Sequence, residues 1–273
     1  MSTDEVSVAL SSPRPMPDYA PPQDVIDELV RFANSDERPW NLGYHALVIP
    51  LDDKRVLKTS STVTLKEAKA MEYVRQSTTI PVPRVHMAFE HGDDGYIVMD
   101  RVEGKPLEAL TMLRMTAAEM VNIVKQLKSI LTQLSQLHPL SPDEAYHGWP
   151  DDPFPVHAFG HEHPTHRLNS LEEFFNYWAM GKHEVLPFGP EHRGSVLAHG
   201  DFKGGNIMVL GDQVTGVIDW ETFGYYPPFW DRMTIYNWLC VFDHSKDAAD
   251  EVVGEPDDVV MDFFSIMQAS YPI

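Results

Sequence analysis

A single cysteine, Cys240, is the whole thiol complement of this 273-residue chain. One thiol can close no internal disulfide and build no cysteine-based zinc cluster. Standing among Trp238, Leu239 and Val241, it reads as a small buried apolar residue. Positive charge is scarce too: 21 Lys and Arg face 41 Asp and Glu, a formal charge of −20. A field of that sign repels phosphate backbones and anionic lipid, so neither nucleic acid nor a membrane surface is expected as a partner. No apolar run of the sequence approaches the roughly 20 residues that a membrane span requires. No charged-then-apolar leader opens the chain either. The expected setting is therefore soluble, reducing and cytoplasmic.

What is present is an ordinary globular composition, 43% hydrophobic and 23% charged, which rules out wholesale disorder. The length suits one large domain or two lobes. Residues 1–21 carry Pro13, Pro15, Pro17 and Pro21 without any hydrophobic period, and read as a disordered tail. From Pro22 onward, Val25, Ile26, Leu29, Val30 and Ala33 mark one helical face. Strand-like pieces at 45–51 and 55–58 flank the turn pair Asp52-Asp53. A helix is expected at 65–76, ending before Ile80-Pro81-Val82-Pro83, because proline cannot continue it. Segments 84–89 and 96–101 form a hairpin around a five-residue loop, 91–95.

After Gly104-Lys105-Pro106 the texture turns helical. Thr116 with Glu119 is a capping-box pattern, and Met120, Ile123, Val124, Leu127, Ile130, Leu131, Leu134 and Leu137 follow as an unbroken stripe. A His- and Pro-rich loop spans about 147–169, and a second capping box, Ser170 with Glu173, opens an aromatic-rich helix. The expected division is an N-terminal lobe over 22–103 and a larger, mostly helical lobe over 104–273.

The informative stretch runs from Val196 to Val209, an apolar run leading into His199-Gly200-Asp201-Phe202-Lys203-Gly204-Gly205-Asn206 and an apolar run leaving it. After Gly211-Asp212 a further strand, 214–218, ends in Asp219-Trp220-Glu221. A hairpin with polar residues at its open end brings Asp201, Asn206 and Asp219 together. Phosphoryl transfer from ATP needs such a set: a carboxylate to accept the proton of the attacking hydroxyl, and oxygen ligands to hold Mg²⁺ against the phosphates. Asp201 suits the first role, Asn206 and Asp219 the second. The plainer alternative, turn residues and a strand cap, suits a single HxD better than three such residues at this spacing.

These residues resemble the catalytic and metal-binding loops of the aminoglycoside phosphotransferase family, within the protein-kinase-like fold. The likeness extends over most of 45–240. It takes in Val56-Leu57-Lys58, Glu67-Ala68, Ile80-Pro81-Val82-Pro83-Arg84-Val85, and Gly224-Tyr225-Tyr226-Pro227-Pro228-Phe229-Trp230-Asp231. It implies a two-lobed α+β fold and ATP-dependent O-phosphorylation of a small-molecule hydroxyl, with Mg²⁺. It implies that Asp201 is the catalytic carboxylate, that Asn206 and Asp219 are the metal ligands, and that Lys58 contacts the α/β-phosphates. Lys203, two residues after the Asp as in many protein kinases, is placed to neutralise the phosphoryl group in flight. The nucleotide would lie beneath the link near Asp100–Val102.

Periodicity names the lysine's partner. At about 100° per residue, Glu67 falls with Ala70, Met71 and Val74 on the apolar side of its helix, and Glu72 falls with Lys69 and Gln76 on the polar side. An inward carboxylate is costly alone. Lys58–Glu67 is the expected pair, and Glu72 the expected solvated charge.

Two departures from the family pattern stand out. Only Asn41-Leu42-Gly43-Tyr44, with one glycine, is available to cover the phosphates. The chain also ends about fifty residues after Asp219, so final helices that are short or missing are expected. The stretch carrying His157, His161, His163 and His166 has no helical i, i+4 Glu arrangement and is interrupted by Pro164, so a surface or substrate-facing loop is expected rather than a zinc site. His199 is expected to support the loop by hydrogen bonding. The aromatic series Trp220, Phe223, Tyr225, Tyr226, Phe229, Trp230, Tyr236 and Trp238 either lines an acceptor pocket or packs beneath the metal loop. The acidic tail from Asp243 to Asp262 is a solvated face or a field for a cationic acceptor. The alternative to an enzyme is a catalytically inactive kinase-like nucleotide- or ligand-binding module. A protein kinase is disfavoured, because Gly200 and Trp220-Glu221 replace the residues those enzymes usually carry.

Overall fold

The computed structural model describes residues 19–35, 46–108, 112–137, 145–154, 164, 166–181, 183–184, 186–240, 247, 250, 254 and 257–270. Most of the expected N-terminal tail, the Asn41-Leu42-Gly43-Tyr44 loop, His157, His161, His163, Asp243, Glu251 and Glu255 lie outside the described residues.

Helix α1 (Gln23–Ala33) precedes β1 (Leu47–Pro50), β2 (Arg55–Ser60), α2 (Leu65–Ser77), β3 (Val85–His91) and β4 (Asp94–Asp100). The strands form an antiparallel sheet in the order β1-β2-β4-β3. Period-two alternation sorts its two faces. Ile49, Leu57, Tyr96 and Val98 meet Ala33 and the Ile26, Leu29 and Val30 stripe of α1. Val56, Ile97 and Met99 share the main core with Ala68, Ala70, Met71 and Val74 of α2. Lys58, in phase with Val56, is therefore carried inward, towards α2. The β3–β4 hairpin closes more tightly than the five-residue loop the sequence suggests. Pairing runs on to His91↔Asp94, since an antiparallel ladder can extend until two residues remain to turn it.

Glu72 also departs from expectation: it is 4% exposed. It accepts hydrogen bonds from Arg75 Nε at 3.1 Å, Arg75 Nη2 at 3.0 Å and Gln76 Nε2 at 2.6 Å. Burial would raise the Glu72 carboxyl, but Arg75 and Gln76, with Tyr19 nearby, hold it below its ordinary value. Helical phase registers only the neighbours a helix supplies itself, not what the rest of the fold packs against it.

The larger part of the chain packs around α3 (Ala117–Gln136). Its capping box forms as read: Glu119 N donates to Thr116 Oγ1, and Thr116 N to Glu119 Oε2. Its stripe, Met120 to Leu134, is buried. Two small sheets follow. One is β6 (His147–Gly148), β10 (Gly224–Tyr226) and β7 (Val196–Ala198), with β10 central; the other is β5 (Lys105–Pro106), β8 (Ile207–Leu210) and β9 (Gln213–Val217), with β8 central. Helices α4 (Leu171–Trp178), α5 (Trp230–Leu239) and α6 (Asp258–Ser270) enclose an aromatic floor. There Trp230 lies 4.9 Å from Trp178 and 5.3 Å from both Phe174 and Tyr226, between ring centroids. For Tyr226 and Trp230, both buried, packing beneath the loops is what the structure shows. No helix among the described residues is long and apolar enough to cross a membrane.

Candidate active site

The β8–β9 hairpin is the scaffold of the site. Ile207 pairs with Val217 at its open end, and Ile218 N donates to the Asn206 carbonyl at 3.0 Å. Asn206 and Asp219 thus flank one strand terminus. Asn206 Nδ2 donates to both the Asp201 carbonyl and Asp201 Oδ2, each at 2.9 Å. Lys203 Nζ lies 2.9 Å from the same Oδ2. The Asp201 carboxylate is therefore held by an amide and an ammonium while remaining about one-third exposed to solvent.

Across from it, Lys58 Nζ donates to Glu67 Oε1 and Oε2 at 2.8 and 3.0 Å, as helical phase predicts. It also donates to Asp219 Oδ1 at 2.6 Å and lies 3.5 Å from Glu221 Oε2. Glu67, Asp219 and Glu221 each place a carboxylate oxygen within 4.8 Å of the others. One ammonium among three carboxylates leaves the cluster net negative, and the proton affinities follow. Burial alone would lower the Lys58 ammonium, but the three carboxylates outweigh it and raise it. Burial raises the Glu67 carboxyl to about 7 against the pull of Lys58, with Asp219 and Glu221 adding. Burial would also raise Asp219, yet Lys58 prevails and holds it below its ordinary value. Asp219 sits in the left-handed region, φ 68° and ψ 60°. A non-glycine residue there costs about 1–3 kcal/mol unless its surroundings over-determine it, as the Lys58 bond does here.

Glu221 was not singled out by sequence. The signal available was its place two residues after Asp219, on the single 3₁₀ turn Trp220–Thr222 that folds it back over the same lysine.

The loop bearing Asp201 is fastened from below. Asp231, buried at the start of α5, accepts from His199 N at 2.6 Å and from Gly200 N at 3.0 Å. Trp230 Nε1 donates to the Gly200 carbonyl at 2.8 Å. His199 is fully buried, its Nε2 on the Ile218 carbonyl at 3.0 Å and its Nδ1 accepting from Asp201 N at 3.3 Å. Burial lowers its proton affinity, so it is a neutral strut between the two loops, as expected. Gly200 has φ 87°, and a Cβ there would lie 2.4 Å from the Thr222 carbonyl oxygen. At Gly204 a Cβ would lie 1.8 Å from Trp238 Nε1 and 2.1 Å from the Leu107 carbonyl oxygen, two atoms that bond each other at 2.9 Å. Gly204→Ala must break that bond and shift the loop. We expect a loss of about 1–3 kcal/mol in denaturant unfolding, against none for Gly205→Ala, where a Cβ meets nothing within 4 Å.

Asp231 yields a pH prediction. Burial pushes its carboxyl from 3.8 up to about 7, against the two amides and with the Asp201 charge adding. A folded-state value above the unfolded one means stability fully present below about pH 4 and lost as pH rises through about 7. In Asp231→Asn, one loop amide loses its acceptor. We expect a stability loss of about 1–3 kcal/mol and a flatter profile between pH 4 and 7, both read from urea midpoints.

The remaining expected residues lie apart from the cluster. Asp100 ends β4 with its carboxylate engaged by His86 Nε2 at 2.7 Å and Arg84 N at 3.3 Å. Val102 packs on β9, where a Cβ on Gly216 would lie 2.6 Å from its Cγ1. His166 lies 3.2 Å from Glu173. A cavity of about 320 Å³ opens beside the cluster, lined by Thr62, Lys66, Trp149, Asp152, Glu221 and Phe223 among others, but not by Asp201.

A lysine–glutamate pair facing a carboxylate–amide hairpin on a two-lobed α+β frame defines the kinase-like phosphotransferase class. The profile of the phosphotransferase enzyme family, APH, matches residues 43–258, and the chain belongs to that family. Its fold is that of solved phosphotransferases. The GDP complex of aminoglycoside 2'-phosphotransferase-IIIa superposes with a TM-score of 0.61 at 12% identity, covering 90% of this chain and 88% of that one. An ADP and hygromycin B complex of a thermostable mutant of aminoglycoside phosphotransferase APH(4)-Ia gives 0.53 at 13% identity, covering 90% and 94%. Macrolide 2'-phosphotransferase MphH from Brachybacterium faecium gives 0.54 at 15% identity, covering 91% and 89%. No curated protein sequence matches the chain.

Proposed function

We propose that this protein transfers the γ-phosphoryl group of ATP to a hydroxyl of a small molecule. The observation that carries the reading is the Lys58–Glu67–Asp219 network opposite an Asp201 carboxylate steadied by Asn206 and Lys203. In the transfer, the acceptor oxygen forms a bond to the γ-phosphorus, the bond to the β,γ-bridging oxygen breaks, and ADP departs. The acceptor proton passes to Asp201, which orients the hydroxyl. Lys58 would hold the α/β-phosphates, with Glu67 keeping its ammonium pointed there. Lys203 would offset charge on the group in flight.

The residues fit a magnesium ion. Asp219 and Asn206 are the residues that would hold it: the Asn206 side-chain nitrogen is engaged by Asp201, so its side-chain oxygen Oδ1 would be the ligand atom. The net-negative carboxylate cluster offers the hard oxygen donors such a cation takes. When bound, the ion supplies charge neutralisation on the phosphates. With its carboxylate engaged by His86, Asp100 would contact adenine through main chain only, as would Val102. We place the lobe division after Glu103, so that Lys58 and Glu67 come from one side of the cleft and Asp201, Asn206 and Asp219 from the other. The charge of −20 adds long-range attraction for a cationic acceptor.

ADP release from Mg·ATP across a panel of hydroxylated compounds, amines included, tests the reading. A match that depends on Asp201 supports it. A wild-type protein whose melting temperature is unmoved by millimolar Mg·ATP would leave the inactive binding module in its place.

A further inference from the structure

We propose that Trp149 is a positioning residue that locks α2 to the chain just after Asp219 and so keeps the Glu67 carboxylate on Lys58. Its main chain is fixed first: Trp149 N donates to the Phe223 carbonyl at 3.0 Å, and the neighbouring Gly148 pairs with Gly224 in the β6–β10 ladder. That ladder has no slack, since a Cβ on Gly224 would lie 2.5 Å from the His147 carbonyl oxygen. Its side chain then reaches α2. The Trp149 ring stacks on Tyr73 at 5.1 Å between centroids and 27° between planes. Phe223 completes the group, 5.8 Å from Trp149 and 6.3 Å from Tyr73.

The cluster around Lys58 needs such a restraint. Helix α2 packs directly on the 3₁₀ turn Trp220–Thr222, and oxygens of Glu67, Asp219 and Glu221 stand within 4.8 Å of one another around one ammonium. Like charges at that range push α2 off the turn. Lys58 would keep partners without the helix, Asp219 at 2.6 Å and Glu221 at 3.5 Å. The buried apolar residues of α2 are Ala68, Ala70, Met71 and Val74, two of them alanines, so apolar packing alone grips it lightly. Lys66, Ala70 and Tyr73 fall within about 60° of one another around the helix and form the face that meets 148–154. Lys66 lies 3.1 Å from Asp152, but both side chains are exposed and such a pair holds weakly. Ala70 lines the cavity of about 320 Å³ together with Trp149 and Asp152, so this part of the face borders a hollow among the described residues. The ring stack is the firm contact here, and Tyr73 is six residues, about 9 Å, along α2 from Glu67. The consequence for nucleotide rests on the phosphoryl-transfer reading; the grip on α2 does not.

The test compares full-length wild type with Trp149→Leu, Trp149→Phe, Tyr73→Leu and the double leucine variant. Two readouts are taken: amide hydrogen exchange over 65–77 without nucleotide, and affinity for Mg·ATP and for adenosine, which has no phosphate for Lys58. For Trp149→Leu we expect α2 exchange to rise about tenfold and Mg·ATP affinity to fall about fivefold, with adenosine affinity unchanged. Trp149→Phe keeps a ring against Tyr73 and should recover most of both losses. The double leucine variant should be little worse than either single one, because both remove the same contact. Adding Glu221→Gln to Trp149→Leu takes away a repelling charge and should lower α2 exchange again. Unchanged exchange in Trp149→Leu, equal losses for ATP and adenosine, multiplying effects in the double variant, or no relief from Glu221→Gln would each overturn the proposal. Should Trp149→Leu fail to fold, Tyr73→Leu is judged by the same two readouts. If wild type binds no Mg·ATP, the phosphate reading fails, and α2 exchange alone then decides for or against the lock.

Discussion

Asp201→Asn should lower kcat by about 10²–10⁴-fold, the usual contribution of a positioned general base, with the KM for ATP unchanged. The substitution keeps the side chain's shape and removes its proton affinity. Asn206 Nδ2 keeps its bond to the residue-201 carbonyl, so the loop stays fastened. Asp231 still holds the two preceding amides. What disappears is the group proposed to orient the acceptor hydroxyl and receive its proton, together with the Lys203 ion pair. Steady-state ADP release with a competent acceptor, alongside equilibrium ATP binding, separates this from a folding defect. A variant retaining more than about a tenth of wild-type kcat would remove Asp201 from the mechanism.

Lys58→Met should have the largest effect on stability and nucleotide affinity together. Lys58 and Glu67 are 5% and 1% exposed, and no described cation other than Lys58 is shown to pair with Glu67. Removing the ammonium leaves buried carboxylates uncompensated, which costs about 3–5 kcal/mol when one partner of a buried pair is deleted. Asp219 is about one-third exposed on its side chain, so solvent screens part of its share. Mg·ATP affinity should fall at least about tenfold, the value of a lost hydrogen bond to a charged group. The double variant Lys58→Met/Glu67→Gln should recover more than half of the stability and none of the affinity. If urea unfolding of the single variant matched wild type, the buried ion-pair network would have no energetic meaning.

The chain's local patterns announce some of this machinery and hide the rest, for identifiable reasons. Lys58–Glu67 is legible because each partner carries its own periodicity: Lys58 alternates with Leu57 along a strand, and Glu67 shares helical phase with Ala70, Met71 and Val74. Asp201, Asn206 and Asp219 are legible because a short hairpin joins them, and two strands with a tight turn leave little freedom for their separation. Glu221 belongs to the same cluster but was not read, since a 3₁₀ turn rather than a strand brings it back. Asp231 follows a run of aromatics that reads as packing, and its two amide partners lie about thirty residues earlier. Glu72 shows the limit most clearly. Helical phase assigned it to water because phase counts only neighbours three and four residues away, and its burial is decided by the packing of the whole fold.

By itself, then, the sequence determined the elements, the apolar face of each, and the candidate set wherever one strand, helix or hairpin carries the constraint. Tertiary structure alone decided which charges are buried, Glu72 of α2 among them, and that one lysine serves three carboxylates. Local propensity and periodicity act over a few residues along the chain. The burial of a charge depends instead on what distant chain arrives to replace its water.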